Sequence, residues 1–507
     1  MLSGLVRNVA ISAVSFVAIS VIGLLLVPVL VGKYGLLGFG FISVARLFLP
    51  TTALGFLDFG FGEITTQAIA RTRVDHDWRR ATGIIGLSAG RALVMGLCSG
   101  VVLAGLAAFI PGWMGIASDG QAGMTNVFLA NALIMPLLFM SLAFEGAIKG
   151  FERFDVLRGV EVTTALSYTA AVLWAVWGDH GPEMVCYGYL GSLALRTALS
   201  FALTLVLLRG REVCLRCELP SDQDWFRRQC RLFAANKALG TVQGQLPSVV
   251  IGLLIGPTAV GIYEAVSRLP RAIKAVLGLL NSTVLPLAAR LDRAADQKGL
   301  RRLGQTGVLM VGLMSLPPLA VAMAFSRPIL QLWLGETFVP YWGWQALLFL
   351  VPATTVLVNF GGTALLVRPH VVRKLNLLAL CQLLIQYLIS IATLPWFDEG
   401  AFILGQAVSV CLVFVVQFRV IGRELGVDNG FYRALSRLLA AILVMAIPGV
   451  WVATFVQGWP SLVLLSGIWV ILTWAVGFGL ALDTRQRSKL IEVLRSRALR
   501  WSVKEPQ

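Results

Sequence analysis

The sequence predicts an all-α polytopic membrane protein of about fourteen transmembrane helices, grouped as two six-helix lobes and two peripheral helices. Three observations carry that expectation. Of the 507 residues, 57% are apolar and only 13% charged, with a mean hydropathy of +0.80, whereas soluble domains carry about 25% charged residues. The apolar residues gather into stretches of about 20 residues or more, the length an α-helix needs to cross hydrocarbon. The 42 Lys and Arg residues fall mostly on alternate connections between those stretches.

Taken in order, the first apolar run, 9–31, lacks an Ala-x-Ala-like ending and leads directly into a second, 37–57. It is therefore expected as a membrane anchor, not a cleaved signal peptide. Spans at 83–110, 124–145, 157–178 and 184–208 complete a first group of six. The connection from Arg209 to Arg231 follows and is read as a hinge between lobes. A second group comprises 233–255, 258–286, 305–325, 343–366, 375–395 and 400–419. Spans 438–457 and 461–482 carry no internal charge and are placed at the periphery. The expected divisions are 1–218 for the amino-terminal lobe, 219–425 for the carboxy-terminal lobe, 426–482 for the last two spans, and 483–507 for a tail. In that tail Leu490, Ile491, Leu494, Ala498 and Trp501 share one helical face, with Arg485, Arg487, Arg495 and Arg500 largely elsewhere. Such a pattern suits a helix lying in the cytoplasmic headgroup layer.

With the amino terminus cytoplasmic, only Lys33 and Arg327 fall on external connections. The positive-inside rule then sets both termini in the cytoplasm, and the expected location is the bacterial inner membrane. A net charge of +16 invites comparison with nucleic-acid binders, but clusters such as Arg71, Arg73, Arg79 and Arg80 stand where spans meet anionic headgroups. Nucleic acid is excluded as a partner. Cys214 and Cys217 have the spacing of a zinc half-site and Cys230 follows on the same connection, yet no histidine or fourth ligand accompanies them. They are read as reduced thiols, with no metal and no cofactor expected. Walker A, His-Glu-x-x-His and Gly-x-Ser-x-Gly motifs are absent from the sequence, which argues against ATP hydrolysis and standard hydrolase chemistry.

An internal repeat supports the division into lobes. Ile22-Gly-Leu-Leu25 returns as Ile251-Gly-Leu-Leu254, and Val44-Ala-Arg46-Leu47 returns as Val266-Ser-Arg268-Leu269, each of the latter downstream of a glycine, Gly40 or Gly261. Both copies start on the cytoplasmic side, so the repeats are parallel, related by an axis along the membrane normal. Arg46 and Arg268 then occupy equivalent places facing a common cavity.

Seven cations lie inside the spans: Arg46, Arg91, Arg196, Lys237, Arg268, Arg271 and Lys274. Each costs about 2.5 to 3.5 kcal/mol at the bilayer centre on insertion scales, so they are expected to face water, counter-ions or a ligand. The eighth span is densest, because Glu264, Arg268, Arg271 and Lys274 fall within about a third of the helix circumference, with Pro270 kinking the run. Arg196 lies too deep for easy snorkelling, whereas Arg91 and Lys237 lie near enough to headgroups for snorkelling to compete. Glu145 and Glu161, near cytoplasmic ends, are read as gate or interface partners. Asp58 and Glu63 either close an inner gate by pairing with cations or cap a helix end. An excess of cation implies an anionic passenger, and guanidinium matches phosphate oxygens with paired hydrogen bonds.

The pattern resembles the polysaccharide flippases, O-antigen transporters among them, of the multidrug, oligosaccharidyl-lipid and polysaccharide exporter superfamily. The matching stretches are Asn8 through Pro28, Lys33-Tyr-Gly35, Leu57-Asp58-Phe-Gly60 followed by Arg71, Lys149-Gly-Phe-Glu-Arg-Phe154, Gly261-Ile-Tyr263 through Arg268 with Pro286 beyond, and Leu332-Trp-Leu-Gly335. Together they span about residues 5 to 425. The resemblance implies two lobes forming a V that opens alternately to either side. It also implies transport of undecaprenyl-diphosphate-linked oligosaccharide, an O-antigen, capsule or exopolysaccharide unit, to the outer leaflet, usually by antiport with an ion. On this reading Arg46, Lys237, Arg268, Arg271 and Lys274, with Arg196, hold the diphosphate and acidic sugars. Glu264, Asp58, Glu63 and Arg91 serve gating or ion coupling, and a polysaccharide polymerase and chain-length machinery are expected partners.

Two readings compete. A multidrug or peptidoglycan-lipid exporter uses the same scaffold, though a drug exporter is expected to carry acidic cavity residues. A membrane polysaccharide polymerase or ligase is an enzyme of a different class, and it would need a large external loop that this chain lacks. The expectation is a transporter and not an enzyme.

Overall fold

The computed structural model describes residues 2–75, 77–116, 118–209, 220–281, 296–365, 369–427 and 429–481. These residues are helical apart from short connections. The long helices are α1 (Leu2–Leu47), α2 (Phe61–Asp75), α3 (Trp78–Leu106), α4 (Ser118–Gly150), α5 (Phe154–Trp177), α6 (Pro182–Leu208), α7 (Pro220–Leu254) and α8 (Pro257–Asn281). They continue as α9 (Gln297–Ala324), α10 (Leu350–Ala364), α11 (Pro369–Phe397), α12 (Gly400–Leu425), α13 (Asn429–Ala453) and α14 (Trp459–Ala481). Among the described residues, 11 helical segments are long and apolar enough to cross a membrane. The protein is an all-α multi-pass membrane protein.

The expected spans outside that set are 37–57, 233–255 and 258–286, and the structure shows why each differs. The first two spans are one helical run, α1, interrupted only at Gly35 with φ 67° and ψ −174°. At that φ a side chain is strained, so glycine makes a one-residue joint where a longer connection was expected. The second span is not continuous to residue 57. It stops at Leu47, and a 3₁₀ turn at Ala53–Leu57 and then α2 follow. Pro50 accounts for the break, since it lacks an N–H and holds the residue before it out of the helical region. Thr52 Oγ1 sits 2.6 Å from the Arg46 carbonyl oxygen and 2.9 Å from that of Leu47, taking up acceptors that a helix end leaves open. Asp58 Oδ1 then accepts the backbone N–H groups of Gly60 and Phe61 at 3.0 and 3.1 Å.

The hinge expected from Arg209 to Arg231 is also corrected. Residues 210–219, with Cys214 and Cys217, lie outside the described residues, but α7 begins at Pro220, well before the expected span at 233. Proline favours the first helical position, where its missing N–H has no partner to lose. The polar first half of α7 is not a free linker, because Phe226 within it is fully buried. Among the described residues of α7, the apolar stretch Ala238–Leu254 falls short of a full span, and α8 carries four charges. Residues 482–507, including the expected amphipathic tail, lie outside the described residues.

The chain forms two compact units, Met1–Arg268 with Thr393–Phe402, and Leu269–Ala392 with Ile403 onward. The boundary falls inside α8, beside Pro270. In the first unit Ile69, Ala81, Ile85, Ala143, Phe144 and Phe151 form a core joining α2, α3 and α4. In the second, Val308, Leu316, Leu357, Phe360, Phe418 and Leu438 do the same for α9, α10, α12 and α13.

Within the first unit, α1 and α8 approach at the two glycines singled out by the repeat. A Cβ on Gly40 would clash with the Pro257 carbonyl oxygen, and one on Gly261 would come within 3.1 Å of the Gly40 backbone. Small residues let membrane helices pack backbone to backbone. Here equivalent residues of two parallel repeats meet, as they do near an axis relating the copies.

Candidate functional site

Arg46 sits in the last turn of α1, close to aromatic rings from two other helices. Its guanidinium carbon lies 4.0 Å from the Tyr189 ring centroid on α6 and 5.3 Å from that of Tyr168 on α5. The rings themselves meet edge to face, 5.2 Å apart. A guanidinium over an aromatic face gains about 2 kcal/mol when desolvated, which offsets much of the cost of an intramembrane charge. Two contacts keep α1 in place. Asn131 on α4 donates to the Ala45 carbonyl at 2.7 Å, and Tyr34 donates to the His180 carbonyl at 3.0 Å. Beside the latter, Lys33 hydrogen-bonds Asp179 on the α5–α6 connection, and that bond and charge hold the Asp179 carboxyl below its ordinary range.

Arg268, on α8 in the same unit, acts electrostatically on Tyr168. The two arginines that the repeat made equivalent therefore act on one tyrosine, whose hydroxyl is buried without a hydrogen-bond partner. Glu264, one turn earlier on α8, is buried, and its Oε1 accepts a 2.6 Å hydrogen bond from Ser248 on α7.

Arg196 has a different setting. Its Nε and Nη2 donate to the two carboxylate oxygens of Glu145 at 2.6 and 2.8 Å, and the Glu145 side chain is only 7% exposed. This bidentate pair joins α6 to α4 and neutralises the arginine. Glu161, the other carboxylate expected near a gate, accepts a hydrogen bond from Arg158 on its own helix.

Arg91 has an aromatic partner. It lies 4.6 Å from the centroid of the buried Phe226 ring, pinning the first turns of α7 to α3. Asp58 caps α2, and Glu63 stands half-buried in the first turn of α2. The Lys237 side chain lies outside the described residues. Arg271 and Lys274 belong to the second unit. There Arg271 is half-buried and Lys274 exposed, with their charges acting on each other. Cys230 is half-buried on α7.

Sequence reasoning missed Tyr168, Tyr189, Ser248 and Phe226. Their signal was indirect: an intramembrane charge needs a partner, and tyrosine supplies one without any charge of its own.

The family model described as polysaccharide biosynthesis protein matches residues 5–292, more than half of the chain. The chain belongs to the polysaccharide biosynthesis protein family. A relative is the uncharacterized membrane protein EpsK of Bacillus subtilis (strain 168), 20% identical over 319 residues. That alignment spans 61% of this chain and 61% of the relative's length. Among solved structures, the lipid II flippase MurJ in an inward closed conformation is similar with a TM-score of 0.70 and 11% identity, over 92% of this chain and 97% of that one. A multidrug resistance MATE family transporter of the MOP superfamily, inward-facing, gives 0.63 and 12%, over 82% and 98%. A MOP superfamily transporter from Pyrococcus furiosus, described by the reverse polarity of its binding pocket, gives 0.58 and 13%, over 83% and 95%. At these identities the likeness is one of fold. This polysaccharide biosynthesis protein has the fold shared by MurJ and the MATE transporters.

Proposed function

We propose that the protein is a flippase that moves an undecaprenyl-diphosphate-linked oligosaccharide across the bacterial inner membrane by alternating access, with about fourteen spans and both termini cytoplasmic. The observation that supports this reading is the Arg46 guanidinium held against the Tyr189 and Tyr168 rings, with the charge of Arg268 also acting on Tyr168. A diphosphate cannot enter hydrocarbon without a substitute for its hydration. Guanidinium groups held in fixed orientation supply that substitute through paired, charge-assisted hydrogen bonds. Arg46, Lys237, Arg268, Arg271 and Lys274 are assigned the diphosphate and acidic sugars. The family suggests a lipid-linked glycan, and a polymerase and chain-length machinery are natural recipients of the product.

Arg196 is reassigned within this reading. Its bidentate pairing with Glu145 leaves no net charge for a phosphate, so it orders α4 and α6 beneath the tyrosines. Glu264 is the proposed coupling carboxylate. When it is free to attract the α8 cations it weakens their hold on phosphate, and an ion that occupies it strengthens that hold, so a gradient biases the two states.

The test is binding in nanodiscs of undecaprenyl diphosphate and, separately, of a cationic dye. Wild type is expected to bind the diphosphate saturably and Arg268→Ala to lose about tenfold, the effect of about 1.4 kcal/mol. Arg91→Ala is expected to keep wild-type affinity. Preference for the dye, or equal loss in both variants, contradicts the assignment and turns the reading toward drug export.

A further inference from the structure

Away from the arginine–tyrosine cluster, the second unit contains an apolar groove of about 240 Å³ between α8 and α9. It is lined by Ile273 and Leu277 from α8 and by Met314, Ser315, Pro318 and Leu319 from α9. Its shape follows from the sequence. Pro317 and Pro318 lie inside α9, and consecutive prolines bend a helix and open space beside it. The only hydroxyl among the described lining residues, that of Ser315, is already donated to the Val311 carbonyl at 2.5 Å. Those residues therefore offer nothing to a polar ligand. Its edge does, because Arg271, Lys274 and Leu277 are three residues apart along α8, and residues at that spacing are neighbours on a helix surface. Lys274, which is exposed, stands one turn from the groove wall, a rise of about 5 Å.

We infer that this groove, together with Lys274 and Arg271, is a docking site for the head-proximal end of a polyprenyl diphosphate. The branched hydrocarbon lies in the groove, and the phosphates lie against the two cations. The inference rests on the flippase reading and adds a place for the lipid end of the substrate. Charge complementarity selects the occupant. In a polyprenyl diphosphate the phosphate is attached directly to the isoprenoid chain, so anion and hydrocarbon follow one another within one helical turn. A phospholipid instead places glycerol esters between phosphate and acyl chain, and the step from Lys274 to Leu277 presents no open polar group to receive them. The groove also answers a mechanistic need, since a lipid tail held beside Lys274 and Arg271 keeps the diphosphate at those cations while the hydrocarbon stays in an apolar surrounding.

The test uses the full chain in nanodiscs and a polyprenyl diphosphate carrying a diazirine on its first isoprene unit, with crosslinks mapped by mass spectrometry. Crosslinks at Ile273, Leu277, Met314 or Leu319 are expected, displaced by undecaprenyl diphosphate and not by phosphatidylglycerol at equal concentration. Met314→Trp fills the groove from a side chain that is 65% exposed, so it leaves the packing of the unit intact and is expected to lower the yield about tenfold. Met314→Leu, of similar volume, is expected to keep it. Saturable crosslinking elsewhere on the protein overturns the groove and leaves the flippase reading standing. Equal displacement by phosphatidylglycerol makes the groove an ordinary lipid contact and also overturns the proposal. No saturable crosslinking anywhere overturns both readings.

Discussion

The cations inside the membrane fall into different settings, and the settings decide what each does. Arg46 rests on two tyrosine rings, Arg91 on a phenylalanine, and Arg196 in the grip of a carboxylate. Breaking a buried ion pair from one side leaves an uncompensated charge, at a cost of about 3 to 5 kcal/mol. Arg196→Ala is therefore expected to lower unfolding free energy in detergent by about 3 kcal/mol, while Arg196→Met combined with Glu145→Leu is expected to fall within about 1 kcal/mol of wild type. If the double variant is as damaged as the single one, the pair has a role beyond joining α4 to α6. Tyr189 supports Arg46 twice, with its ring under the guanidinium and its hydroxyl hydrogen-bonded to it. Tyr189→Phe is expected to reduce transport and Tyr189→Leu, which also loses about 1 kcal/mol or more of cation–π support, to reduce it further, measured as initial rate in vesicles. The charges were legible in the sequence because hydrocarbon makes any internal charge conspicuous. Their partners were not, because Tyr168, Tyr189 and Phe226 look like ordinary span residues until helices distant in sequence are packed together.

At the scale of helices, apolar runs long enough to span a bilayer stood out, and 11 such helical segments are present among the described residues. What composition hid were breaks and extensions. Pro50 marked the interruption of the second span, yet the flanking residues are apolar enough to read as continuous. The first half of α7 is polar and reads as a loop, although Phe226 anchors it through full burial. Phe226→Ala is expected to cost about 3 kcal/mol and to free Arg91, which protease sensitivity near the start of α7 would report. The crossing of α1 and α8 offers a sharper test. Gly40→Ala places a methyl against the Pro257 carbonyl, a rigid backbone group, and is expected to destabilise the fold by about 1 to 3 kcal/mol. Gly23→Ala on the same helix meets nothing within 4 Å and is expected to be neutral or slightly stabilising. Thermal melting of both variants decides the point, and equal melting temperatures would remove the close crossing from the account.

For the molecule as a whole, family and fold agree. The chain is a polysaccharide biosynthesis protein with the architecture of MurJ and the MATE transporters, and its intramembrane charge is chiefly positive. That sign separates a carrier of phosphate-bearing lipids from an exporter of cations, since desolvated like charges repel strongly. The repeat seen in short sequence matches also has a physical counterpart, because Gly40 meets Gly261. The central claim is that these arginines carry a lipid diphosphate across the bilayer. The most direct measurement is transbilayer movement of a fluorescent undecaprenyl-diphosphate oligosaccharide in proteoliposomes, comparing wild type with Arg46→Ala combined with Arg268→Ala. Rapid movement by wild type, reduced at least tenfold in a double variant that still folds and inserts, is the expected result. Undiminished movement in the double variant, or none by wild type across several glycans and both proton and sodium gradients, would contradict it.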